Sequence, residues 1–215
     1  MEKNPFKWPL AVIAGILIWL SELIFNLPAV LLWPGGYSPL KNSHSDLGGT
    51  GPHPTRGSLN SPLGAQFYNS GQVFLGLAII LFAGGLYMFY TEERWKKTLL
   101  ILGQIFGILA GIVVIMNGIY SIDFQPQHGQ WSQVLFISIF LAELFVNISL
   151  LYHSEIKKPI PIFGLIAAVL NLLIVALYDI LDPPFLLEFI AIYIAETWIG
   201  LIAINIFYNE VWLKQ

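Results

Sequence analysis

Cysteine is absent from all 215 residues, which excludes disulfides, thiolate nucleophiles and cysteine-ligated metals. Charge is scarce as well. Asp, Glu, Lys and Arg together make up 11% of the chain, against roughly a quarter in ordinary soluble domains. The net charge of −3, with no basic stripe, excludes a nucleic-acid partner. What remains is carbon: 56% of the residues are hydrophobic and the mean hydropathy is +0.71. That balance makes lipid the main solvent of the chain.

The apolar residues come in blocks. A spanning helix needs about 20 mostly apolar residues, and six stretches meet that need: 9–33, 66–90, 98–121, 131–152, 160–180 and 185–208. Backbone groups facing lipid must be satisfied within their own segment, so each block is expected to be a helix. The blocks are continuous, which excludes the short alternating strands of a barrel. The first block follows Lys3 and Lys7, as a signal peptide's apolar core would. It runs on from Trp8 to Trp33 with no small-residue cleavage site, and so reads as a retained span. The expected fold is an all-α integral membrane protein, one six-helix bundle over residues 1–215.

Basic residues sort the connections. Lys3, Lys7, Arg94, Lys96, Lys97, Lys157, Lys158 and Lys214 fall on one side, and only Lys41 and Arg56 on the other. The positive-inside rule puts the first group, and both termini, in the cytoplasm of a cell-membrane protein. The outer side then receives the loop 34–65, the connection 122–130 and the turn Leu181-Asp182-Pro183-Pro184. Trp8, Trp33, Trp95, Trp131 and Tyr152 lie at span ends, as interfacial belts require. A connection as long as 34–65 is either functional or disordered, and its Gly, Pro, Ser and His content favours function.

Three carboxylates interrupt the spans: Glu22, Glu143 and Glu196. Ionisable groups at such depth face the bundle interior, where they form a relay or a polar pocket, or hold helices together. Asn26 and Asn147 each follow a glutamate by one helical turn and share its face, and Asn171 is a further partner. The segments Leu20–Asn26 and Leu141–Asn147 echo one another, a faint sign of an inverted repeat of three spans plus three. The outer side gathers His44, Asp46, His53, Asp123, His128, Asp182 and Glu188. These are zinc-compatible donors without the helical His spacing of known zinc motifs. The alternative is a solvated polar loop with local caps. Gly103, Gly107 and Gly111 form a small-residue stripe suited to close helix packing within the bundle or to homodimerisation.

A further pattern joins Tyr37-Ser38-Pro39-Leu40, Ser45-Asp46-Leu47-Gly48, Asn69, Asp123, His128-Gly129 and Ala195-Glu196. In these short motifs the chain resembles the membrane family called domain of unknown function 998. More distantly, it is similar to the Frag/DRAM/Sfk group of six-span proteins, although Leu47 replaces that group's Thr. The resemblance implies a six-helix bundle with Ser45, Asp46, Asn69, Asp123, His128 and Glu196 as its polar signature. It also implies membrane lipids as partners, since the distant group is associated with lipid handling.

The expected function is therefore binding of a lipid or similar amphiphile at an outer polar site. A metal-assisted hydrolase acting on lipid at the same place is the first alternative. An accessory subunit, homo-oligomeric or within a larger membrane complex, is the second. No catalytic residue, metal or cofactor is assigned by the sequence.

Overall fold

The computed structural model describes residues 5–53, 57–177, 180 and 185–213, the side chains of residues 53, 57 and 58 excepted. Six helices among these residues are long and apolar enough to cross a bilayer: α1 Leu10–Leu31, α2 Pro62–Phe89, α3 Arg94–Ile119, α4 Gln127–Leu150, α5 Pro159–Leu177 and α6 Phe185–Trp212. This is a multi-pass membrane protein. Two-residue strands, β1 Pro52–His53 and β2 Gly57–Ser58, pair antiparallel in the long connection.

The helices match the apolar blocks, but α2, α3 and α4 begin about four residues earlier than hydropathy alone predicts. Hydropathy marks the hydrocarbon layer, whereas a helix continues through the wet interface until a cap stops it. Ser61 caps α2 by accepting from the Gly64 backbone N–H at 3.1 Å, and Pro62 supplies the favoured first position. At the other end α2 tightens into a 3₁₀ turn, Leu86–Phe89. There Gln104 of α3 donates to the carbonyls of Ala83 (2.9 Å) and Gly84 (3.2 Å), while its own oxygen accepts from the Tyr90 hydroxyl at 2.6 Å. The carbonyls at this turn thus gain a side-chain donor besides the backbone.

Each helix packs against its sequence neighbours, and α6 returns to pack on α1, closing a ring. Lipid gives apolar side chains little reason to hide, so small residues that permit close approach hold such a ring together. A Cβ on Gly111 would lie 2.6 Å from the Gly76 carbonyl oxygen, and one on Gly103 would lie 3.0 Å from the Val146 backbone nitrogen. The glycine stripe of α3 is therefore spent on α2 and α4, inside the bundle.

Both ends of the described chain meet at one end of the bundle. Trp8 packs edge-on against Phe207 at 4.9 Å, and Asn205 and Asn209 donate to the Glu155 carbonyl at 2.8 and 2.7 Å. Lys96, Lys97 and Lys157 each lie over an aromatic ring at this basic end, and Trp95 stacks edge-on with Tyr152 at 5.5 Å. Trp95 and Tyr152 are exposed, as an interfacial belt requires. Trp33 is not a belt residue. It is buried against Tyr37 at 5.5 Å, within a cluster containing Ala29, Leu47, Leu59, Tyr68 and Ile122. The expected roles of Lys3, Arg56, Lys214 and the turn 181–184 with Asp182 lie outside the described residues.

Candidate functional site

The opposite end of the bundle is roofed by the connection between α1 and α2. Gly35 and Gly36 turn the chain back with φ of 80° and 90°, a backbone region that side chains other than glycine rarely enter. Residues His44–Gly48 then form a single 3₁₀ turn. Ser43 and Asp46 close it as a reciprocal cap, with the Ser43 backbone N–H donating to the Asp46 carboxylate at 2.8 Å. Three side chains hold the roof by its backbone: Asn60 from the roof's own end, Asn69 from α2 and Asp123 from beyond α3. Asn60 donates to the carbonyls of Ala29 (3.0 Å) and Leu47 (2.9 Å), and Asn69 donates to that of Gly48 (2.9 Å). Asp123, in the connection between α3 and α4, accepts from the Thr50 N–H and hydroxyl and from the Gly51 N–H at 2.9–3.1 Å.

One roof side chain reaches down into the bundle. The His44 imidazole is buried amid the rings of Tyr68, Phe189 and Tyr193, at centroid distances of 5.3, 6.5 and 5.8 Å. Asn26 Nδ2 lies 2.8 Å from His44 Nε2 and 3.1 Å from the Tyr193 oxygen, and the Tyr68 oxygen lies 3.0 Å from His44 Nδ1; when the amide donates to the ring, Nε2 accepts and Nδ1 carries the proton. Burial holds this histidine below its ordinary pKa, against the opposing pull of the Glu22 charge. Burial, followed by the charges of Glu188 and Asp46, pushes the nearby Tyr37 phenol up.

The same network continues into the spans. Glu22 accepts from Asn26 at 2.6 Å and from the Tyr193 hydroxyl at 2.9 Å. Residues Glu22–Asn26 form a π-helical stretch of α1, a local widening often found at functional positions. Glu196 of α6 is buried and close enough to Glu22 for the two carboxyls to interact. Neither Glu196 oxygen has a donor, and Glu22 offers a hydrogen bond only when one of the two acids holds a proton. Elsewhere Glu143 of α4 accepts from Asn171 of α5 at 3.0 Å, and Asn147 accepts from the Trp198 indole of α6 at 2.8 Å. The second oxygen of Glu143 has no partner.

Between α2, α3, α4 and α6 runs a slender cavity, with about 110 Å³ open to the centre of a water-sized sphere. One such sphere occupies about 10–15 Å³, so this is room for a file of waters or one narrow chain. Its roof end is polar, formed by His44, Ser45, Tyr68, Asn117, His128 and Ser132. Its far end is apolar, formed by Phe82, Leu86, Gly103 and Val146. Glu143 and Glu196 line the wall between these ends, and Glu188 is a third acidic lining residue. Among the described residues the lining contains no lysine or arginine.

The residues singled out by sequence thus gather around one roof with separate tasks. Ser45, His128 and Glu196 line the cavity. Asp46 lies near enough to His128 for its charge to act there, but its carboxylate caps the turn. Asn69 and Asp123 hold backbone. His128 donates from Nδ1 to the Tyr120 carbonyl at 2.8 Å and faces Ser132 with Nε2 at 3.4 Å. The solvated-loop alternative does not describe this turn, since His44, Asp46 and Leu47 are all buried. Tyr68, Gln72, Asn117 and Ser132 were not singled out. Their signal was present as polar residues one turn apart on an apolar helix, in the pairs Tyr68/Gln72 and His128/Ser132.

No three His, Asp or Glu side chains among the described residues come together in a group that could hold a metal ion. The expected His44, Asp46, Asp123 and His128 constellation is instead taken up by the capping, ring and backbone contacts above. The His53 side chain and Asp182, also in that constellation, lie outside the described residues. No curated protein and no solved structure matches the chain. A family model described as a protein of unknown function, DUF998, matches residues 12–205, nearly the whole six-helix bundle, and the chain belongs to that family.

Proposed function

We propose that this membrane protein binds a lipid or other slender amphiphile inside its helix bundle, with the 32–61 connection as an outward-facing roof in the cell membrane. The cavity carries this reading: a narrow, mostly carbon-lined channel, polar beneath the roof and apolar beyond it. Small-molecule sites have that composition, largely apolar with a few placed polar groups that fix orientation. The ligand's polar end lies beneath Ser45 and His128 and towards Glu196, and its chain runs along Phe82, Leu86 and Val146. Asp46, Asn69 and Asp123 contribute by holding the roof that closes the site. The reading of a metal-assisted hydrolase has no matching donor cluster to support it among the described residues.

Native mass spectrometry of the protein released from mild detergent tests the proposal. A discrete added mass in the range of a single-chain lipid, lost when cavity residues such as Ala110 and Ala142 are enlarged to Phe, supports it. A bare protein mass under conditions that preserve bound lipid on other membrane proteins contradicts it.

A further inference from the structure

The unpaired groups on the cavity wall are all of one kind. Glu196 Oε1 and Oε2, Glu143 Oε1 and Asn117 Oδ1 are buried, line the cavity and lack a hydrogen-bond donor. Buried polar atoms are paired in more than nine cases in ten, so a run of orphans sharing one cavity points to something absent. All of them are acceptors. Ionised, the two glutamates are acceptors only, so a donor is the partner that lets them stay charged.

Charge narrows the choice. Two buried acidic side chains, Glu143 and Glu196, line the cavity, and among the described residues no lysine or arginine lines it with them. A phosphate or carboxylate head would bring negative charge to this wall, in a medium where repulsion is little screened. Depth narrows it further. Glu196 stands roughly 16 Å from the roof end of α6 at 1.5 Å per residue, about halfway through a hydrocarbon layer of about 30 Å. An isolated charge there is costly, and such residues normally pair or mark a ligand path. A proton shared with Glu22 satisfies at most one Glu196 oxygen and leaves Glu143 Oε1 untouched.

We propose that the cavity's ligand is an amine-bearing amphiphile whose protonated primary amine donates to Glu196, with Glu143 as the next acceptor along the wall. A primary ammonium offers three donors on a compact head, which suits a slender channel. Its positive charge compensates an acidic wall, as a hydroxyl would not. This rests on the amphiphile-binding reading and specifies the head-group.

Four chain-matched probes test it with the purified protein in mild detergent: dodecylamine, dodecanol, dodecanoate and dodecyltrimethylammonium. Ligand-dependent thermal stabilisation reports their relative affinities. The expected order puts dodecylamine about tenfold or more ahead of each of the others. In Glu196→Gln the amine loses about tenfold while dodecanol changes less than about threefold. Dodecanoate equal to or better than the amine overturns the amine proposal and leaves amphiphile binding standing. Equal binding of the trimethylammonium compound overturns the need for N–H donors. Stabilisation by none of the four overturns both readings. The wild-type ranking stands without any variant, so a folding defect in Glu196→Gln leaves the test decisive.

Discussion

Asn26 Nδ2 lies 2.8 Å from His44 Nε2, and through that contact the π-helical stretch of α1 is fastened to the roof. An amide donor facing Nε2 suits a neutral ring, and burial favours the same form. Roof closure is therefore linked to the protonation of one histidine. An open, hydrated His44 titrates near 6.5, and the buried ring titrates lower. Between those values the open state binds more protons, so acid favours opening. Stability from the seated roof is complete above about pH 6.5 and declines as pH falls through that value. Hydrogen exchange at residues 43–49, corrected for its intrinsic pH dependence, should rise from about pH 7.5 to about pH 5. His44→Gln keeps one donor and one acceptor without the ionisation and should flatten the response. An unchanged slope in that variant would assign the effect to another group.

How much of this was legible beforehand differs by residue. The six spans followed from hydropathy because lipid imposes a simple length requirement. The Glu22/Asn26 pair followed from helical spacing, and the structure joins the two directly at 2.6 Å. The Glu143/Asn147 pair shares a face, yet Asn147 turns to its own helix's Glu143 carbonyl and to Trp198, and Asn171 takes the carboxylate. Periodicity identifies a face but not the partner across it. Asp46, read as a ligand residue, also caps the turn, and Ser43-x-x-Asp46 is a visible capping pattern. The aromatic box around His44 joins residues from the loop, α2 and α6, and no local pattern could show it.

The Glu143–Asn171 contact makes a structural prediction separate from ligand binding. Replacing Glu143 with Leu removes one of the two acceptors of the Asn171 amide at a fully buried position and leaves only the Ala167 carbonyl at 3.1 Å. An unpaired buried group costs about 1–3 kcal/mol. Glu143→Gln keeps an acceptor oxygen, so it should melt near the wild type in detergent while Glu143→Leu melts clearly lower. Equal melting of the two variants would show that Asn171 needs no acceptor from α4.

The glycine stripe predicts a packing effect and no assembly effect. Gly111→Val inserts atoms where the Gly76 carbonyl already stands 2.6 Å from a Cβ position. Overpacking of this kind typically costs about 1–3 kcal/mol. Thermal unfolding should drop while the mass measured by light scattering stays constant. A shift in oligomeric mass with unchanged stability would return the stripe to a dimer interface.

Orientation can be read with little engineering, because the chain has no cysteine to remove. Leu40 is exposed in the roof connection, and Ser154 is exposed at the basic end. An impermeant thiol reagent on intact cells should label Leu40→Cys and spare Ser154→Cys. The reverse pattern would invert the bundle and with it the side from which the cavity fills.

Asp123 tests whether the roof matters to the site beneath it. Its carboxylate receives the Thr50 N–H, the Thr50 hydroxyl and the Gly51 N–H. The contact is exposed, so water competes for it and its loss should cost little global stability, about 1 kcal/mol or less. Its local effect should be larger. Asp123→Ala frees the roof segment nearest the α3–α4 connection but leaves the Ser43/Asp46 cap and the Asn69 contact with Gly48 in place. Exchange at residues 49–51 should therefore quicken, with residues 44–48 and the bundle melting temperature nearly unchanged. If the roof closes the ligand cavity, amphiphile dissociation should accelerate in the same variant, because a loosened lid lowers the barrier to exit more than it weakens contacts along the channel. Faster exchange at 49–51 with unaltered dissociation would place the ligand's route elsewhere, between helices and not beneath the roof.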